Sequence, residues 1–142
     1  MFKNIMAMVV PMFLSLVSFL PAEVFAEQIV LTTVTANTSG ASTDGDVFVK
    51  LIGTTGYCLT DLDNPGHDDF QQGADDLFFF ECPELGELVR IELNHSSHNS
   101  KGQKVSWHVR RIFIDRPDKL QLLKAEFDMW LMGAQIRDVE KR

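Results

Sequence analysis

Between Gln28 and Ile114 the chain is written in short runs of β-branched and aromatic residues, cut at close intervals by turn signals. Such runs are too short for helices, and they bury one face only if another sheet covers it. Gln28–Thr35 is rich in Ile, Val, Leu and Thr, and Thr38–Gly45 is a loop by composition. Val47–Ile52 predicts a second strand, and Gly53-Thr54-Thr55-Gly56 predicts a turn into a third. Asp63-Asn64-Pro65-Gly66 is a strong turn signal. Leu77-Phe78-Phe79-Phe80 is a continuous apolar run of the kind found in a buried strand. Val89, Ile91 and Leu93 alternate with Arg90 and Glu92, so that strand has one wet face. Val105, Trp107 and Val109 alternate likewise, and Ile112-Phe113-Ile114 continues the run. This pattern predicts an all-β antiparallel sandwich. Pro117 to Met132 is different, because Leu120, Leu123, Phe127, Trp130 and Leu131 fall at helical spacing.

Residues 1–26 read as a secretory signal with cutting after Ala26. Lys3 supplies a positive charge, Ile5–Leu20 an apolar core, and Val24-Phe25-Ala26 a small-residue end. The alternative, a membrane anchor, needs roughly 20 apolar residues, and this run is shorter and contains Pro11. The expected location is therefore extracellular, or periplasmic in a bacterium. Cys58 and Cys82 suit an oxidising compartment. A bridge between them would close a loop of about 25 residues and stabilise by about 3.5 kcal/mol on the chain-entropy scale. Two buried free thiols are the other reading.

The net charge is −7, which repels phosphate backbones and argues against nucleic-acid binding. It also removes non-specific attraction to anionic lipid. No Gly-x-Ser-x-Gly elbow, HExxH pair or Gly-rich phosphate loop occurs, so the sequence predicts no enzyme. His95 and His98 sit in a polar loop without cysteine or glutamate partners. Carboxylates cluster instead. Asp44 and Asp46 flank Gly45, and Asp61, Asp63, Asp68 and Asp69 surround the Asn64-Pro65-Gly66 turn. Oxygen-rich loops of this kind suit calcium, although Asp and Asn are also ordinary turn residues and the spacing matches no EF-hand.

Five segments in order resemble the PLAT (lipoxygenase-homology) family. Ser42-Thr43-Asp44-Gly45-Asp46-Val47-Phe48-Val49 is similar to the family's G-T-D-A-D-V-Y-V. Leu62-Asp63-Asn64-Pro65-Gly66 with Asp69-Phe70 and Gly73 resembles L-D-N-P-G…D-F-E-R-G. Leu85-Gly86-Glu87-Leu88, then Trp107 with Arg111-Ile112-Phe113-Ile114, then Trp130-Leu131 complete the series. The resemblance implies an eight-stranded antiparallel sandwich of two sheets over residues 27–131, followed by a tail at 132–142. It places two last strands between Leu120 and Leu131, against the helical spacing noted above. It implies a non-catalytic module that binds protein or a lipid membrane surface, with calcium. A glycan- or protein-binding accessory module without membrane activity is the alternative. Carried over position by position, the calcium ligands are Thr43, Asp44, Asn64, Gly66 and either Asp68 or Asp69. The choice is open because His67-Asp68-Asp69 is one residue longer than the common form. A second ligand group needs carboxylates where this chain has Gly40 and Val105-Ser106, so one principal site is expected. Gln71-Gln72 replaces the family's Glu-Arg. Asn37-Thr38-Ser39 and Asn94-His95-Ser96 fit the N-glycosylation pattern.

Overall fold

A computed structural model describes residues 26–142; the signal reading, apart from Ala26, lies outside the described residues. The strands are β1 (Ala26–Thr35), β2 (Val47–Gly53), β3 (Tyr57–Asp61), β4 (Asp75–Pro83) and β5 (Leu88–His95). They continue with β6 (Trp107–Arg116), a 3-10 turn (Pro117–Lys119), β7 (Gln121–Leu131), β8 (Gly133–Asp138) and β9 (Glu140–Lys141). All pairings between strands are antiparallel. One sheet runs β4-β1-β6-β7-β9 and the other β3-β2-β5-β8. The expected two-sheet sandwich is present, with the two-residue β9 added to the expected eight strands.

The inward faces follow the period of two. In β1, Ile29, Leu31, Thr33 and Thr35 are buried, and in β2 so are Val47, Val49 and Leu51. Trp107 is fully buried, with its indole N–H donating to Thr35 Oγ1 at 3.0 Å and Phe70 packed 4.9 Å from its ring. Val105 lies before β6 rather than in it. Val89 is passed over where β5 pairs with β2, because the register slips between Ile52 and Gly53. Gly53 is required there, since a Cβ would come 2.0 Å from the Leu85 carbonyl oxygen.

Three expectations are corrected. The segment 120–131 is not two strands but one, β7, and the second is β8, within the supposed tail 132–142. β8 pairs with β5 and β9 with β7, so the C-terminus completes both sheets. Its apolar content is slight because β8 is an edge strand with exposed alternate residues, which is why it reads as a tail. The helical spacing arose because Leu120 and Trp130 do not belong to the buried set: Leu120 is 96% exposed after the 3-10 turn, and Trp130 lies outward. Leu123, Ala125, Phe127 and Leu131 are buried in the core, with half-buried Met129 packed against it. Finally, the apolar run in β4 is not a buried strand. Successive side chains of β4 point to opposite faces and only the inner one is covered, so Phe78 is 3% exposed while its neighbour Phe79 is 71% exposed.

Glu27 in β1 and Arg116 at the end of β6 form a bidentate ion pair at 2.9 and 2.7 Å, with side chains 3% and 1% exposed. Arg116 also donates to the Gly86 carbonyl and to Gln121 Oε1. Cys58 and Cys82 are bonded, Sγ to Sγ 2.13 Å, joining edge strand β3 of one sheet to edge strand β4 of the other.

Candidate calcium pocket

The β1–β2, β3–β4 and β5–β6 loops and the β7–β8 turn all lie at one end of the sandwich, since successive strands reverse direction. In the first loop, the Thr43 hydroxyl accepts the Gly45 N–H at 3.0 Å and pairs with His95 Nε2 at 2.7 Å. That turn presents Asp44 and Asp46 to solvent on either side of a glycine. No other residue fits between them: a Cβ on Gly45 would lie 2.8 Å from both His95 Nε2 and the Ser96 carbonyl oxygen. Burial is the chief influence on His95 and pushes its pKa below the usual imidazole value, with Asp46 pulling the other way.

The β3–β4 turn is built around Asp69. Its carboxylate accepts the Asn64 backbone N–H at 2.7 Å and the Asn64 side-chain amide at 2.9 Å. The same amide donates to the Leu77 carbonyl, and Gly66 takes the left-handed conformation at φ +78°. Asp69 is thereby buried, whereas Asp68 points to solvent.

Between the two loops is an open pocket of about 310 Å³. Thr43, Asp44 and Asp46 line it from one side, and Asp61, Asp63 and Asp68 from the other, with Asp69 also on its wall and no lysine or arginine among its lining. Of the residues named from sequence, Thr43, Asp44, Asp68 and Asp69 are brought together, while Asn64 and Gly66 shape the turn outside the lining. The Thr43 hydroxyl is committed to His95 and Gly45, so its part is to hold the turn. Asp46, Asp61 and Asp63 complete the wall and were not among the named ligands. The signal that finds them is the pair of Asp-x-Asp steps at 44–46 and 61–63, which the Phe48–Asp61 register of β2 and β3 sets side by side. Several convergent, hydrated carboxylates are what a hard cation with six to eight oxygen ligands requires.

Residues 29–141 match the PLAT/LH2 domain. The chain belongs to the PLAT family. The human lipoxygenase homology domain-containing protein 1 is 31% identical over 97 residues, as is its mouse counterpart. That alignment takes in 68% of this chain and about 4% of the relatives' length, so this PLAT chain corresponds to a small part of each. Among solved structures, coral 8R-lipoxygenase superposes with a TM-score of 0.72 at 18% identity, over 79% of this chain and 17% of that one. That lipoxygenase is described as calcium-activated through a C2-like domain. A calcium-dependent 11R-lipoxygenase superposes at 0.64 with 24% identity, over 80% and 17% of the two chains. At those identities the structures show a shared fold.

Other residues named from sequence stand at the same end of this PLAT sandwich. Asn37 in the β1–β2 loop and Asn94 near the end of β5 are both exposed. The reversal between β7 and β8, inside the expected tail, forms a further tip at this end that no turn dipeptide announces. It exposes Met132, with Trp130 44% exposed just before it and its ring tilted against that of His108, centroids 4.9 Å apart.

Proposed function

We propose that this protein is a secreted, non-catalytic PLAT module that attaches to phospholipid surfaces with the help of one principal calcium ion. The observation that carries the reading is a coincidence of place. The carboxylate pocket opens at the same end that exposes Trp130 and Met132. Amphipathic aromatic side chains favour the headgroup region of a bilayer. A chain of net charge −7 is repelled by anionic headgroups until a divalent ion neutralises the contact. Calcium in the Asp44–Asp68 pocket serves both ends, holding the loops and bridging to phosphate. The calcium dependence stated for the two lipoxygenases above supports the choice of ion.

Calorimetry with calcium should give about one equivalent, absent in Asp44→Ala. Absence of calcium heat at millimolar concentration would remove the ion from the proposal. Flotation with phosphatidylserine-containing liposomes tests the surface. Binding should require calcium and weaken about tenfold in a Trp130→Ala, Met132→Ala double variant, as expected for withdrawing roughly 1–2 kcal/mol of apolar insertion. Equal flotation with and without calcium contradicts the mechanism.

A second reading, a protein- or glycan-binding accessory module, draws support from the exposed Asn37 and Asn94 acceptors at this end. Glycans there are bulky and hydrated and would hold a bilayer away. A glycosylated form that binds calcium but fails to float with liposomes selects this reading.

A further inference from the structure

Beside the calcium pocket, two carboxylates are turned into the protein with no strong cation to meet them. Asp69 and Asp76 side chains are 6% and 3% exposed. Among the described residues neither has a lysine or arginine within 4.0 Å, and their one ionisable cationic neighbour is His67. Removing carboxylate charge from water costs several kcal/mol unless a cation or full hydrogen bonding repays it. We propose that His67, Asp69 and Asp76 form a second ion site, for a divalent transition ion of the Zn²⁺ type.

The geometry is that of three ligands converging from one side. One ligand atom from each of His67, Asp69 and Asp76 lies within 4.8 Å of the other two. His67 Nε2 is 3.2 Å from Asp76 Oδ1 and 3.8 Å from Asp69 Oδ1. A tetrahedral zinc with bonds of about 2.0–2.2 Å sets its ligand atoms roughly 3.3–3.6 Å apart, between those two distances. The far oxygens are already oriented. Asp69 Oδ2 accepts the Asn64 N–H at 2.7 Å and Asp76 Oδ2 the Phe70 N–H at 2.8 Å; each Oδ1 faces His67, and Asp69 Oδ1 also accepts the Asn64 side-chain amide at 2.9 Å, keeping its second lone pair for an ion. Such outer contacts fix ligating carboxylates in metal sites. The His67 ring is 61% exposed, so an ion enters from solvent and keeps a fourth position for water or a partner's ligand.

His67 and Asp69 also stand on the wall of the calcium pocket, so the two sites adjoin, and the donor set is what distinguishes them. An imidazole nitrogen suits zinc and its neighbours in the transition series, whereas calcium selects oxygens alone. His67 sits in the stretch that makes this turn one residue longer than the family's common form. An ion there would pin the tip of the β3–β4 turn to the head of β4 and stiffen the wall that carries Asp63 and Asp68. Asp69 would serve this inner site and leave Asp68 to the calcium pocket, which resolves the ambiguity between those two aspartates.

The test uses the purified protein stripped with a chelator, titrated with ZnCl₂ with and without saturating calcium. One zinc equivalent should bind in both conditions. His67→Ala should weaken it at least tenfold, a loss in the range seen when metal-site contacts are removed, while calcium affinity stays within about twofold. His98→Ala, a histidine in the exposed β5–β6 loop, should leave zinc binding unchanged. Cobalt(II) should give visible absorption that disappears in His67→Ala. Zinc binding that is absent at about 100 µM, unaffected by His67→Ala, or abolished by calcium would overturn the second site. Failure of calcium to bind bears on the pocket and leaves the zinc result to stand by itself.

Discussion

Replacing Arg116 with alanine should lower the unfolding free energy by about 3–5 kcal/mol. The substitution leaves the Glu27 carboxylate buried at 3% exposure without its bidentate partner. It also strips the Gly86 carbonyl and Gln121 Oε1 of their donor. A double replacement, Glu27→Leu with Arg116→Met, should recover most of the loss, because an apolar pair of similar volume pays no desolvation cost. Denaturant titration with matched m-values measures both. A loss below about 1 kcal/mol for Arg116→Ala would class the pair with exposed salt bridges and contradict its burial.

Reduction of Cys58–Cys82 should cost about 3.5 kcal/mol, the entropy returned to the unfolded chain when a loop of about 25 residues is released. For a domain of this size the melting temperature should fall on the order of 10 °C. The sulfurs are the direct link between the two edge strands on this flank. Calcium affinity should weaken as well, since the released loop contains one whole wall of the pocket, from Asp61 to Asp69. Identical denaturation midpoints with and without reductant, or two alkylatable thiols in the native protein, would show that no bridge forms.

Strands that bury one face against the opposite sheet were legible from the residues. β1, β2, β5 and β6 declare themselves by β-branched alternation, and the Asn64-Pro65-Gly66 turn by its local chemistry. The illegible parts have a common cause: the sequence does not say which faces and edges of a strand its neighbours cover. Phe79 looks like core until the outer face of β4 is known to be uncovered, and Ile136 looks like tail until β5 pairs with it through Glu92. β7 misleads for another reason. Leu123, Phe127 and Leu131 fit a spacing of four, which a strand and a helix share, and outward Leu120 and Trp130 tip the pattern toward helix. At the site, Asp44 and Asp68 could be picked out by their loops. Asp61 and Asp63 needed the register of β2 against β3, and Asp76 needed the fold of the whole turn back onto β4.

β1 is the first described strand, yet it lies inside its sheet, hydrogen-bonded on one side to β4 and on the other to β6. During synthesis it therefore emerges long before either neighbour exists. Its second ladder cannot close until Val109–Asp115 has cleared the ribosome, and the Arg116 that neutralises Glu27 arrives last of all in that strand. Pairings so distant along the chain fold on the millisecond-to-second scale. β1 thus waits with one edge unpaired until β6 has emerged, and a factor that shields that edge suits it better than folding strand by strand.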